Sequence, residues 1–283
     1  MPTINPVTTP PPLLIVSDID GTLITSEERV PERLRAVLGR AVEKRCAVAL
    51  ATGRPHRWLF PVLEQLPVRP VCATANGAVL YDPAEDAILR VRALAPDTMR
   101  DVVTRARAAL GERGEPLSVA VERCGASAFD PEEELFVVSP RYVHTWEAQG
   151  YAVHPEDEVI AEPAVKLLLR NECMISAQMY EAIAPALDPR VAHLTYSMPE
   201  GLLEVAAPGV TKQVAVADLA RRHGVPRERV VCFGDMPNDV EMLRWAGLGV
   251  AMGNAAPEVK RAADRVTGTN DECGVAQVLE EWF

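Results

Sequence analysis

No run of roughly 18 consecutive apolar residues, the minimum for a bilayer-spanning helix, occurs in this chain of 283 residues. No Cys-x-x-Cys pair occurs either. The six cysteines are dispersed, and Cys46, Cys72 and Cys232 sit inside apolar, strand-like runs. They read as reduced thiols used as small core hydrophobes rather than as a metal or redox motif. A basic excess is missing too: the net charge is -11. That balance argues against a nucleic acid or an anionic membrane as partner, since both reward a basic surface. A small anionic substrate stays open, because a few local cations or one metal ion can reverse the sign inside a cleft. The opening "MPTINPVTTPPP" has no basic segment followed by an apolar stretch, so it is not a secretion signal. It reads as a short disordered lead, and a cytoplasmic protein is the default expectation. Internal repeats are absent, as is low complexity beyond that lead.

What is present suffices for one large domain or two modest ones, with 48% hydrophobic and 24% charged residues. "LLIVSD" is an apolar strand. Pro31 then opens a helix whose Leu34, Val37, Leu38, Ala41 and Val42 recur at helical spacing. "CAVALATGRP" is a second buried strand, breaking at Gly53, and "PVCATANGAVLYD" holds a third that ends in Asn76-Gly77. Apolar rather than alternating strands, separated by helices, predict a parallel sheet covered on both faces. The last third resumes this rhythm. A helix "TKQVAVADLARRHG" is closed by Gly224, "RVVCFGD" is a strand, and "PNDVEMLRWAG" a helix closed by Gly247. The strand "LGVAMG" and the helical "APEVKRAAD" follow. The middle differs: a helix at "PDTMRDVVTRARAALG", strands at "PLSVAVE", "AVKLLLR", "VAHLTYS" and "LLEVAA", and a helix near "ISAQMYEAIAPAL". The expected architecture is α/β: a Rossmann-like parallel-sheet core formed by residues 1–82 and 208–283, with residues 83–207 an inserted α/β cap.

In an open parallel sheet, ligands bind outside the carboxyl ends of the strands. Polar residues gather there: Asp18 and Asp20 after the first strand, Thr52-Gly53-Arg54 after the second, Gly234-Asp235 and Asn238-Asp239 after a late one. Lys212 begins the helix where the chain returns to the sheet. Asp18 and Asp235 can share a divalent cation through oxygen, which suits Mg²⁺. A carboxylate can also attack phosphorus. Asp20, two residues on, can hold a proton and serve as general acid, then base. Thr52 and Lys212 can bind phosphoryl oxygens and offset charge as it develops.

"DIDGTL", "ATGRP", "GVTK" and "FGDMPNDVEML" resemble, in order, the four motifs of the haloacid dehalogenase superfamily of phosphohydrolases. "ANGA", "LLEVAAPGVTK", "AMGNA" and "DECGVAQVL" are similar to its Cof-type branch. The resemblance implies a Mg²⁺-dependent phosphatase acting on a small phosphorylated metabolite, with sugar phosphates the leading class. Asp18 would be nucleophile and metal ligand, and Asp20 the acid/base with its carbonyl on the metal. Thr52 and Lys212 would bind the phosphate, with Gly53 and Asn238 in the same phosphate-binding set. Asp235 would be on the metal, Asn238 and Asp239 completing the metal side. An α/β cap would close over the site and choose the substrate. Gln213 departs from the Gly that relatives often carry after the lysine. A phosphomutase or phosphotransferase on the same scaffold is the alternative, and a non-catalytic phosphometabolite-binding module another; retention of every catalytic residue speaks against the second.

Other readings are weighed beside these. A calcium loop would need Gly and Glu where Leu23 and Arg29 stand. "AGLGVAMGNA" follows a helix and has the wrong glycine spacing for a dinucleotide fingerprint. Asn254 is expected to tie loops together and "DPEEE" to be a solvated cap loop. Asn76 reads as a turn residue lining the cleft. Arg54, His56, Arg141, Tyr142, His144 and Trp146 could touch substrate, but no residue here spells out which one.

Overall fold

A computed structural model of the chain describes residues 10–111, 117–144 and 150–283. Most of the N-terminal lead and Trp146 therefore lie outside the described residues. The chain divides into two compact units. The first comprises the residues up to Thr52, Leu59–Cys72 and Lys212–Phe283; the second comprises Gly53–Trp58 and Ala73–Thr211.

The first unit is built on the parallel sheet that the apolar strands predict. Leu14–Ser17 lies between Ala47–Ala51 and Val230–Gly234, and Leu248–Ala251 and Arg265–Val266 extend the sheet beyond the latter. Every one of these pairings is parallel. Leu14, Val16, Ala49, Leu50, Cys232, Phe233 and Val250 are fully buried, as strands covered on both faces must be. Glu32–Glu43 turns Leu34, Val37, Leu38 and Ala41 inward. Lys212–Arg222 does the same with Ala215, Val216, Leu219 and Ala220, and Gly224 at φ 65° ends it.

The second unit has its own six-stranded sheet, ordered His193–Thr195, Leu202–Ala206, Lys166–Arg170, Ser118–Glu122, Phe136–Val138, Ala152–Val153. Its pairings are antiparallel except the last. Helix Ser176–Ile183 packs on strand Leu202–Ala206 and on helix Pro96–Leu110. Side-chain alternation sends Leu167 and Leu169 to one face of the strand Lys166–Arg170, and Lys166, Leu168 and Arg170 to the other.

The third expected strand is shorter than its apolar run suggests. Cys72–Thr74 is extended, but Ala75, Asn76 and Gly77 all take positive φ, at 48°, 55° and 93°. This left-handed turn ends the strand two residues before Asn76-Gly77 and redirects the chain. Val79–Asp82 then pairs antiparallel with Ala87–Val91. Among the described residues no helix is long and apolar enough to cross a membrane.

Candidate active site

Strand Leu14–Ser17 delivers Asp18 to the carboxyl edge of the sheet, where its N–H donates to the Phe233 carbonyl at 3.0 Å. The next residues form a tight turn, closed by Ile24 N–H donating to the Ile19 carbonyl at 3.1 Å. Gly21 at φ 68° makes the turn possible, and its missing side chain is also required: a Cβ there would fall 2.5 Å from Asp235 Oδ2. Thr22 Oγ1 donates to Asp235 Oδ1 at 2.7 Å. Asn254 Nδ2 donates to the Gly21 carbonyl, while its Oδ1 accepts from the N–H of Asn270, whose amide in turn donates to the Ile24 carbonyl. Asn254 thus ties loops together, as its sequence context suggests. The side chain of Asp18 is buried, whereas Asp20 is exposed.

Lys212, at the start of its helix, has a side chain only 1% exposed; its Nζ lies 2.8 Å from Asp18 Oδ1 and 2.7 Å from Asp239 Oδ1. The other oxygen of Asp239 accepts from the N–H groups of Asp235 and Met236, at 2.9 and 3.0 Å. Gly234 lets this hairpin-tight arrangement form, since a Cβ would meet Asp239 at 2.5 Å. Ligand oxygens of Asp18, Asp235 and Asp239 all come within 4.8 Å of one another. Thr52, at the end of strand Ala47–Ala51, is fully buried, and Asn238 is half-buried in the turn between Asp235 and Asp239. The structure therefore gathers Asp18, Asp235, Asp239 and Lys212 into one cluster within the first unit.

Electrostatics set the character of this cluster. Burial pushes the Asp18 carboxyl well above the usual carboxylate range; Lys212 pulls it down while Asp239 and Asp235 add to the rise. Asp235 is raised to about 6, by burial first and then by Asp239, against its hydrogen bond from Thr22. Burial would favour a neutral Lys212, but the two carboxylates touching it win and hold it cationic. Three buried carboxylates against one ammonium leave an excess of negative charge. A hard divalent cation fits such an all-oxygen set and would relieve the repulsion.

Other residues fall in the second unit. His56 is buried, its ring 5.0 Å from that of Tyr81 and its Nε2 3.4 Å from the Ser127 carbonyl. The Arg54 carbonyl accepts from Ala75 N–H at 2.9 Å. Asn76 is buried and donates to Glu204. Tyr142 packs edge-on against Phe136, with His144 beside both, while Arg141 is exposed. Of the acidic run, Glu133 and Glu134 are solvated, but Glu132 accepts from Trp58 Nε1 at 3.1 Å. Reading the sequence missed two buried ion pairs, Arg57–Glu122 and Lys166–Glu204. Their one available signal was a lone charge inside each otherwise apolar run, "SVAVE", "VKLLL" and "LLEVA".

Residues 15–279 match the family model described as haloacid dehalogenase-like hydrolase. Over 273 residues the chain is 29% identical to a 5-amino-6-(5-phospho-D-ribitylamino)uracil phosphatase of Bacillus subtilis, covering 96% of this chain and 98% of that one. It is 29% identical to an HMP-PP phosphatase of Serratia proteamaculans, covering 95% of each. Among solved structures, a haloacid dehalogenase-like hydrolase from Bacteroides thetaiotaomicron superposes with a TM-score of 0.71 at 26% identity, over 95% of this chain and 99% of that one.

Proposed function

The chain belongs to the haloacid dehalogenase-like hydrolase family, and on that premise we propose that it is a Mg²⁺-dependent phosphatase of small phosphorylated metabolites, working through an aspartyl-phosphate. The observation that carries the reading is the buried cluster of Asp18, Asp235 and Asp239 around Lys212 Nζ. The two relatives named above are phosphatases of phosphorylated small molecules by their names, which supports the substrate class. A phosphorylated sugar or sugar alcohol is the first class to try, and the inserted segment, residues 83–207, chooses among such esters.

An Asp18 carboxylate oxygen attacks phosphorus, and the bond from phosphorus to the ester oxygen breaks. Asp20, exposed one residue beyond Ile19, gives its proton to that departing oxygen. Asp20 then takes a proton from water as the water oxygen bonds to phosphorus, and the bond to Asp18 breaks. Inorganic phosphate leaves with both carboxyls restored. Lys212, held cationic by Asp18 and Asp239, draws the Asp18 carboxyl back toward its ionised form against the effect of burial and offers positive charge to the phosphoryl oxygens. Thr52, Gly53 and Asn238 supply hydrogen bonds to the same group. Asp18, Asp235, Asp239 and the Asp20 carbonyl would hold Mg²⁺, which when bound supplies charge neutralisation between two anions that must meet.

Release of phosphate from p-nitrophenyl phosphate tests this. Turnover with Mg²⁺, lost with EDTA and lost in D18N, is the expected result. Turnover that survives D18N would remove Asp18 as nucleophile and the mechanism with it.

A further inference from the structure

Four buried charges run in alternating sign through the second unit: Arg57, Glu122, Lys166 and Glu204. Their side chains are 2%, 7%, 11% and 5% exposed. Arg57 makes a two-pronged pair with Glu122. Glu122 stands directly opposite Lys166 in the sheet register. Lys166 Nζ lies 2.5 Å from Glu204 Oε2, which also accepts from Asn76 Nδ2 at 2.7 Å, while Ser197 Oγ donates to the other Glu204 oxygen. Burial opposes the ionised form of Glu204, yet Lys166, Ser197 and Asn76 together hold its carboxyl below the usual range. Apolar residues would stabilise this sheet face at least as well as a buried ionic row, so the row calls for another reason.

Its geometry supplies one, since it converges on the segment Gly53–Trp58. Lys166 Nζ donates to the Gly53 carbonyl at 2.8 Å. A Cβ on Gly53 would have Asn76 Oδ1, Lys166 Nζ and Glu204 Oε2 as its nearest neighbours, at 3.4, 3.8 and 3.9 Å, so the network is built directly onto this glycine. The Arg54 carbonyl is held by Ala75 N–H, and that turn is left-handed at three successive residues, a conformation that persists only where its surroundings impose it. Arg57 and Trp58 are tied to Glu122 and Glu132.

We propose that Lys166, anchored by Glu204, Asn76 and Ser197, is a positioning residue that fixes the Gly53 peptide so that its N–H is presented to the phosphoryl group. The inference rests on the phosphate-binding role proposed for Gly53. It gives the cap-derived ion pair a part in the reaction that needs no contact with substrate: the ammonium pins the Gly53 carbonyl and with it the Gly53–Arg54 peptide plane, which limits rotation about the Gly53 Cα and so holds the preceding Gly53 N–H in one direction.

The test uses K166M, which removes the ammonium but keeps an apolar stem, K166R, which restores a cation, and S197A, which removes one bond to Glu204. L168A, on the same sheet face with no bond to Gly53, is the control for destabilisation alone. Two readouts are taken: the Gly53 amide resonance by ¹H–¹⁵N NMR, and p-nitrophenyl phosphate kinetics with inhibition by inorganic phosphate. K166M is expected to shift the Gly53 amide and to lower kcat/KM by about 10²-fold, the scale of a misplaced catalytic group. The inhibition constant for phosphate should rise in parallel. K166R should recover most of the loss, S197A should show a loss of about fivefold, and L168A should leave the phosphate inhibition constant where it was. A Gly53 amide unmoved by K166M, or an effect matched by L168A, overturns the proposal. If K166M does not fold, S197A decides: an unmoved amide and unchanged kcat/KM overturn it. If wild type hydrolyses no ester, the phosphatase reading falls alone, and the amide shift still upholds or overturns the brace.

Discussion

Lys212 shows how much one side chain can carry. Its ammonium is the common partner of Asp18 and Asp239, and all three are sealed from solvent. Removing one partner of such a group leaves charge buried without compensation, which costs about 3–5 kcal/mol. K212M should therefore lose both turnover and about that much stability in urea unfolding without metal. Added Mg²⁺ should restore part of the stability, since it answers the same carboxylates, but not the turnover. Recovery of activity with Mg²⁺ would show that the lysine serves the fold alone. The residues of this cluster were legible in the sequence because short motifs hold them at fixed spacing after apolar strands. Lys166 and Glu204 were not, because their pairing depends on the register of two strands and on Asn76 arriving from a third place. A single Lys before "LLLR" looks like an ordinary solvated end.

Glycines set what the elements tolerate. Gly39 lies inside helix Glu32–Glu43 and nothing stands within 4 Å of where its Cβ would be. G39A should stabilise the protein by about 0.5–1 kcal/mol, the helix-propensity gap between the two residues, read as a rise in the urea midpoint with unchanged slope. Gly201 is the opposite case. At φ 67°, a Cβ would fall 2.1 and 2.2 Å from the carbonyl oxygens of Asn171 and Met174, beside strand Leu202–Ala206. G201A should destabilise by at least about 2 kcal/mol, and a neutral result would mean the loop 171–174 can shift freely. Elements with strong periodicity were readable for the same local reason: helix Pro96–Leu110 and the parallel strands declare themselves by apolar spacing. The early end of Cys72–Thr74 did not, since Ala75 at φ 48° is an alanine forced into a glycine conformation by what surrounds it. The two-residue strands Ala152–Val153 and Arg265–Val266 were invisible too, being too short to show a period.

At the scale of the molecule, one buried group in each unit, Asp235 in the first and His56 in the second, should answer pH with opposite sign, while Glu122, raised by burial, works against His56 at lower pH. In the first, Asp235 titrates near 6 when folded against 3.8 as a free side chain, and Asp18 is raised in the same sense. The folded state then binds more protons than the unfolded one between those values. Stability without metal is present in full below about pH 4 and is lost as pH rises through about 6. In the second unit burial lowers the pKa of His56 below its ordinary 6.5, so the unfolded state binds the extra proton. Its contribution is present above pH 6.5 and is lost on acidification. Amide exchange in metal-free protein separates the two: protection at Val16 and Ala49 should fall from pH 4 to 6, while protection at Val121 and Leu169 should rise from below 6 to 7. Mg²⁺ reverses the first trend, because it binds the ionised carboxylates and competes with protons; at a hundred times its dissociation constant it adds about 2.7 kcal/mol. Protection in the first unit should then increase through pH 6 rather than decrease, with the second unit unchanged. If Mg²⁺ left Val16 and Ala49 as they were at every pH, the carboxylate cluster would not be a metal site, and its raised pKa values would mark a proton-holding site instead.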